Sequence, residues 1–332
     1  MKKNLKVASL AVTAIVSVGS LFSSCVESKK ECTQKEITFV ANDPKIEIYS
    51  SEVQDTVRLM LISDTHLWMS DEREEPFKDY SKRMSKAYNE TKHYKTGVDT
   101  NPAECFVNTL ALAKEKKVDA IALLGDIFSY PSEYAIEWAK EQLEQTGIPY
   151  YYTSGNHDWH YEGMEGSSRS LRETWVEKRL KPMFGDVNPL MYCAEVKGVK
   201  ILMIDDSILE ILPEQLEFFL QQEKEGKPML LMMHIPLYAK GRGVGYAIGN
   251  PNWNAASDRG YRAERRQRWP EEGHKPETYD FYNAVINSSN LMASFTGHTH
   301  EQGVDIINGK PHFNIRENAA GAYLEVVIIP SK

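Results

Sequence analysis

An α/β fold, with sheet buried between helices on both faces, is what the 332-residue sequence predicts. Two patterns carry that expectation. Short, nearly continuous apolar runs recur along the chain, and turn residues and then helical periodicity follow them. Such runs suit strands buried on both faces, and strand–helix alternation puts helices over both sides of a sheet. The composition, 42% hydrophobic and 26% charged with 20 Gly and 15 Pro, excludes collagen-like, disordered and disulfide-scaffold classes. One large domain is the economical reading at this length.

The strands expected in order are Val57–Ile62, Val118–Leu124, Ile148–Thr153, Val199–Ile204, Met229–Met233 and Leu291–Thr296. Between them the pattern predicts helices over Pro102–Lys116, Glu133–Thr146, Leu171–Leu180, Pro213–Glu223 and Tyr279–Ile286. In the fourth, Leu216, Phe219 and Leu220 form an apolar stripe at i, i+3 and i+4, and Pro213 suits a first turn. From Gly303 to Pro330 short β-type segments follow, with Asn308-Gly309 as a hairpin turn. The long Leu67–Asp99 connection is rich in Lys, Glu and Tyr, forms a rim at most, and has no readable chemistry.

At the N-terminus three lysines precede an apolar run, Val7 to Phe22, and then Ser23-Ser24-Cys25. This is the layout of a secretory signal, and the run is short against the ~20 residues of a membrane span. Residues 1–24 are therefore expected to be a signal segment, 25–36 a tether and 37–332 the domain. The small residues before Cys25 resemble a bacterial lipoprotein signal, which implies a chain exported to the cell envelope and held by lipid on Cys25. A plain cleaved signal and an uncleaved anchor are the alternatives. Without residues 1–24 the chain keeps 36 Lys and Arg against 47 Asp and Glu, a balance of −11. Such an anion gains nothing from a nucleic-acid backbone, so specific or nonspecific nucleic-acid binding is not expected. Cys32, Cys105 and Cys193 are scattered and form no CxxC pair; Cys105 and Cys193 read as buried core thiols.

Polar residues stand just past five of the apolar runs: Asp64-Thr65-His66, Gly125-Asp126, Gly155-Asn156-His157-Asp158, His234 and Gly297-His298-Thr299-His300. In open α/β sheets ligands bind outside the carboxyl ends of strands. Each fragment alone is commonplace; their joint occurrence takes in five of the nine histidines. Carboxylate, imidazole and amide donors without a thiolate suit zinc, manganese or iron, and four histidines argue against Mg²⁺ or Ca²⁺. His298 and His300, at i and i+2 of an extended segment, would project to one side and need modest bending to reach different ions.

In order, these fragments read DxH, GD, GNHD, H and GHxH, and the sequence resembles the calcineurin-like metallophosphoesterase family from about Val57 to Val327. The resemblance implies a four-layer α/β/β/α sandwich and two divalent or trivalent ions, Mn, Zn or Fe. It implies Asp126 as the bridge, with Asp64, His66 and His300 on one ion and Asn156, His234 and His298 on the other. A water between the ions would attack phosphorus, and His157 would protonate the leaving oxygen; a merely orienting role for His157 is the alternative. The partner implied is a small or medium phosphorylated substrate, a monoester or a diester. The rivals are a non-catalytic metal-binding module and a hydrolase acting on carbon centres.

Departures narrow the choice. Ser/Thr phosphatases of the family extend the second motif to GDxxDRG, where this chain has Ser129 and Tyr130. Purple acid phosphatases carry GDxxY without the first-motif histidine, whereas here Tyr130 is one place late and His66 is present. From Leu237 to Glu277 a long segment carries Gly241-Arg242-Gly243-Val244-Gly245, read as a flexible lip, and Arg259, Arg262, Arg265, Arg266 and Arg268. Those arginines are either a solvated helix face or a surface that guides an anionic substrate. Trp159, His160 and Tyr161 either rim the pocket or pack within their loop. His93, His274 and His312 read as surface residues.

Overall fold

The structure, a computed structural model, describes residues 37–242, 247–257 and 269–331. The signal and tether segments, Cys25, Cys32, Gly243 to Gly245 and the Arg259–Arg268 cluster lie outside the described residues. The described residues form two six-stranded sheets. The first contains, in spatial order, β1 (Thr38–Asn42), β2 (Lys45–Ser50), β14 (Leu324–Pro330), β3 (Val57–Ile62), β6 (Ala120–Leu124) and β7 (Tyr150–Thr153). In the second the order is β12 (Gly303–Ile307), β13 (Lys310–Asn314), β11 (Leu291–Thr296), β10 (Met229–Met232), β9 (Val199–Ile204) and β8 (Met191–Val196). A two-residue ribbon, β4 (Thr91–Lys92) with β5 (Asp99–Thr100), lies in the connection after β3. Strands β3, β6 and β7 are parallel, as are β9, β10, β11 and β13.

The alternation of side chains along β3 shows the layering. Leu59 and Leu61 pack between the sheets with Ala120, Ala122, Ile201, Met203, Leu230 and Phe295. Met60 and Ile62 point the other way, onto Phe106 and Leu110 of the Pro102–Lys116 helix and Ile136 of the Glu133–Glu144 helix. The outer face of the second sheet buries Leu202, Ile204 and Leu231 against Phe219 and Phe281, which meet edge-to-face at 5.3 Å from the Pro213–Lys224 and Pro276–Asn287 helices. Helix, sheet, sheet and helix therefore stack as four layers. Both faces of the central strands are apolar because both are covered.

Helix starts are set locally. Asn101 accepts from the Glu104 N–H ahead of Pro102, and Ser132 accepts from Ala135 N–H. The apolar stripe expected on the fourth helix is only partly present: Phe219 is buried, but Leu220 is 41% exposed. Gln215 is buried in its place and reaches the Leu190 and Asp205 carbonyls at 2.8 and 2.6 Å, so the face toward the sheet is set by hydrogen bonding as well as by apolar contact. Strands β1, β2 and β8 were not among the expected runs. They lie at or near sheet edges, where one face is half-exposed and the apolar signal is diluted.

Other expectations change at single residues. Cys105 is buried but Cys193 is half-exposed on the edge strand β8. His274 and His312 are buried: His274 lies between the Leu209 and Ala247 carbonyls, and His312 bonds Ser294 Oγ at 2.6 Å. Trp159 and Tyr161 are packed loop aromatics; Trp159 donates to Ser207 Oγ at 2.8 Å. Arg242 pairs with Asp305 of β12. Among the described residues no helix is long and apolar enough to cross a membrane.

Candidate metal centre

The loops that leave β3 and β6 lie side by side and continue the ladder of those two parallel strands. Asp64 N–H donates to the Gly125 carbonyl at 3.0 Å, His66 N–H to Asp126 at 2.9 Å and Leu67 N–H to Ile127 at 2.8 Å. The first two motifs are thereby in fixed register before any side chain acts. From behind, the Asn318–Ala320 turn donates its Asn318 and Ala319 N–H groups to the Ser63 and Asp64 carbonyls.

The backbone then turns sharply. Asp64, His66, Asp126, His298 and His300 all have positive φ, from 50° to 69°. Non-glycine residues in this left-handed region cost of order 1 kcal/mol each and cluster at functional sites. His298 and His300 are therefore not on an extended segment, and it is the left-handed bends that send them to different groups. Gly155 has a separate reason to be glycine: a Cβ there would collide with the Asp126 carboxylate.

Two triads result. The donor atoms of Asp64, His66 and His300 lie within 4.8 Å of one another, and so do those of Asp126, His234 and His298. In the first, His66 Nε2 is 3.2 Å from His300 Nε2, which is 3.3 Å from Asp64 Oδ1. In the second, His234 Nε2 is 3.2 Å from Asp126 Oδ2 and 3.1 Å from His298 Nδ1. Ligands at ~2.0–2.2 Å from one ion stand about this far apart at tetrahedral or octahedral angles, so both sets fit a metal. Asn156 Oδ1 is buried without a hydrogen-bond partner, between Gly155 and His157, both of which touch Asp126. His157 N–H donates to Asp126 Oδ1 at 2.7 Å, and its ring stands edge-on to His66 at 5.2 Å. All eight sequence-predicted residues thus gather at one edge of the two sheets.

A profile of the calcineurin-like phosphoesterase family matches residues 57–302, the span that contains every one of these side chains. The chain belongs to that family. No curated protein sequence matches it. A dimetal phosphatase from Danio rerio superposes with a TM-score of 0.50 at 11% identity, over 81% of this chain and 91% of that one. A purple acid phosphatase, PPD1 of yellow lupin seeds, gives a TM-score of 0.50 at 13% identity over 83% of this chain and 47% of its own. The four-layer fold is shared with both. This phosphoesterase is a metal-dependent hydrolase with two metal ions, and its two triads are candidate sites for them.

The electrostatics of the phosphoesterase follow from burial against close opposite charge. Burial pushes Asp64 up, but His300 and His234 outweigh it and hold the carboxyl at about 2. Burial likewise opposes ionisation of Asp126, yet His234, His157 and His66 hold it well below the usual range. Burial disfavours charge on His234, and Asp126 overrides it to raise that imidazole to about 10. Its Nδ1 meets the Leu124 carbonyl at 2.8 Å, which fixes that nitrogen as the donor and turns Nε2 to Asp126. A metal ion that binds His234 therefore has to displace the proton that Asp126 favours there. Burial lowers His66 and His157, which stay neutral.

Two supporting carboxyls are absent from the expected site residues. Asp158 accepts the N–H groups of Asp126, Phe128 and Gly155 at 2.9, 2.8 and 2.7 Å, which clamps the second and third motifs together. Asp206 accepts the His234 N–H at 3.0 Å and the Ile235 N–H at 3.1 Å. Burial raises both to about 7, with the Asp126 charge adding to the effect at Asp158. Asp206 had a legible signal, since it follows the apolar run of β9 as the other polar residues follow theirs. Tyr130 joins neither triad: its hydroxyl donates to the Trp68 carbonyl at 2.7 Å.

Proposed function

We propose that the protein hydrolyses phosphate esters with two metal ions, one held by Asp64, His66 and His300, the other by Asn156, His234 and His298, and Asp126 placed between them. Two adjacent cations repel, and an anionic side chain between them offsets that repulsion. The observation that carries the reading is the pair of triads at 3.1–3.3 Å donor spacing on adjacent strand ends. When bound, the ions supply Lewis acidity, which makes a water nucleophilic near neutral pH and neutralises charge on the phosphoryl oxygens.

The chain's own groups do the rest. Asp64 and Asp126, ionised by their neighbours, bring two negative charges to the centre without protonation near neutral pH. His157 is the general acid for the leaving oxygen. Its half-buried ring is held below the usual imidazole range in the free enzyme, so a bound phosphate dianion beside it has to raise it before it donates. Phosphomonoesters are the first substrate class and diesters the alternative, since both need the same acid and the same ions. The N-terminal pattern supports export and lipid attachment at Cys25.

The test is hydrolysis of a nitrophenyl phosphate and of the bis-nitrophenyl ester by protein loaded with Mn²⁺, Zn²⁺ or Fe²⁺. Turnover that requires metal supports the reading. Protein that binds two ions and cleaves neither ester overturns it.

A further inference from the structure

The Leu67–Asp99 connection, unreadable as chemistry in the sequence, carries a side chain into the metal centre. The Tyr88 ring lies flat on the His66 imidazole, with centroids 3.9 Å apart and planes 7° apart, and meets His300 edge-on at 5.6 Å. Its position is braced on two sides. Met84, one turn earlier, is buried in the core beneath the first sheet. Arg83 grips Glu162 through Nε at 2.7 and 3.0 Å, which ties the connection to the loop that carries His157 and Asp158. The Tyr88 hydroxyl stands within electrostatic reach of Asp64, Asp126 and Arg83, and among the described residues it has no hydrogen-bond partner.

A half-buried phenol fixed over a triad, with its one donor unused, is suited to the anion that the triad attracts. Catalysis of phosphoryl transfer is mostly positioning and stabilisation of charge on the equatorial oxygens. A neutral donor adds to both without repelling the ions. We propose that Tyr88 is a substrate-contacting residue whose hydroxyl donates to a phosphoryl oxygen on the Asp64–His66–His300 side, and whose ring forms the wall of the site there. This rests on the phosphoesterase reading above.

The experiment compares wild type with Tyr88→Phe, which keeps the stacked ring and removes only the donor. Full-chain protein is loaded with Mn²⁺; bound metal is counted and the affinity for inorganic phosphate is measured by calorimetry beside hydrolysis of nitrophenyl phosphate. The expected result is two ions retained, phosphate affinity weaker by about tenfold, and kcat/KM reduced by a similar factor, as for loss of one hydrogen bond to a charged group. Unchanged phosphate affinity in an active enzyme overturns the role of Tyr88 and leaves the phosphoesterase reading intact. Loss of an ion from the variant also overturns it, because Tyr88 would then serve the metal rather than the substrate. A wild type that binds two ions but neither phosphate nor ester overturns both.

Discussion

The two triads are chemically alike and structurally different. Each has two buried residues and one half-exposed histidine, His298 in one and His300 in the other, so they differ in what backs them and not in depth. The Asp126–His234–His298 triad is clamped by carboxyls that accept main-chain N–H groups, Asp158 behind Asp126 and Asp206 behind His234. The Asp64–His66–His300 triad rests on Ser63, which donates to Asp64 at 2.6 Å, on the His298 N–H at 2.9 Å and on the stacked ring of Tyr88. Buried carboxyls that grip backbone preorganise the ligands they support. The comparison teaches that one triad is fixed by main-chain clamps while the other lies under a side chain from the connection after β3.

The most severe way to break this arrangement is Asp126→Asn. Loss of the charge placed between the ions should cut kcat by about 10³-fold and reduce bound metal below two per chain, both read on one preparation. Full activity with two ions would remove Asp126 from its role. Next comes His157→Ala. It should cost about 10²-fold or more on alkyl phosphates and far less on nitrophenyl esters, because only a poor leaving group needs a proton. Since burial depresses the His157 pKa in the free enzyme, kcat/KM for the alkyl ester should decline as pH rises through that lowered value, while the variant's should not. Equal losses on both esters would end the general-acid assignment.

A smaller effect sharpens the contrast between the triads. Asp206→Ala should weaken one ion by about 10–100-fold and leave the other nearly unchanged, measured by metal titration. Equal weakening of both ions would mean that the two halves are not independent. The mildest test is pH. In the metal-free protein His234 lies at about 10, and Asp158 and Asp206 at about 7, each above its ordinary value. Groups raised on folding stabilise fully below their unfolded pKa and lose that contribution as pH climbs to the folded one. Calorimetry with chelator should therefore show Tm falling from about pH 6.5 to about pH 10 as His234 loses its proton, the two carboxyls having lost their share between about pH 4 and pH 7. Bound ions replace the His234 proton and should flatten the curve; a metal-free Tm that rises over this window would contradict the assignment.

Much of the site was legible because it stands on parallel strands. Val57–Ile62, Val199–Ile204 and Leu291–Thr296 are apolar along most of their length, so their ends are marked and the polar residues beyond them stand out. What escaped lacked such a frame. Leu220 is exposed because Gln215 and its carbonyl partners set the roll of the helix. His274 and His312 are buried because carbonyls or a serine hydroxyl from elsewhere meet their nitrogens. Tyr88 sits in a connection with no periodicity, and its meaning comes from His66, to which no sequence spacing points.

Residue chemistry and run length were enough to choose the kind of site, since imidazole and carboxylate select their metals and an apolar strand delivers whatever follows it to one sheet edge. Folding alone brought His66 and His300, 234 residues apart, to 3.2 Å. Only there do the left-handed bends, the buried clamps and the ring over His66 exist. They depend on contacts between distant loops, and a linear order of residues carries no distances.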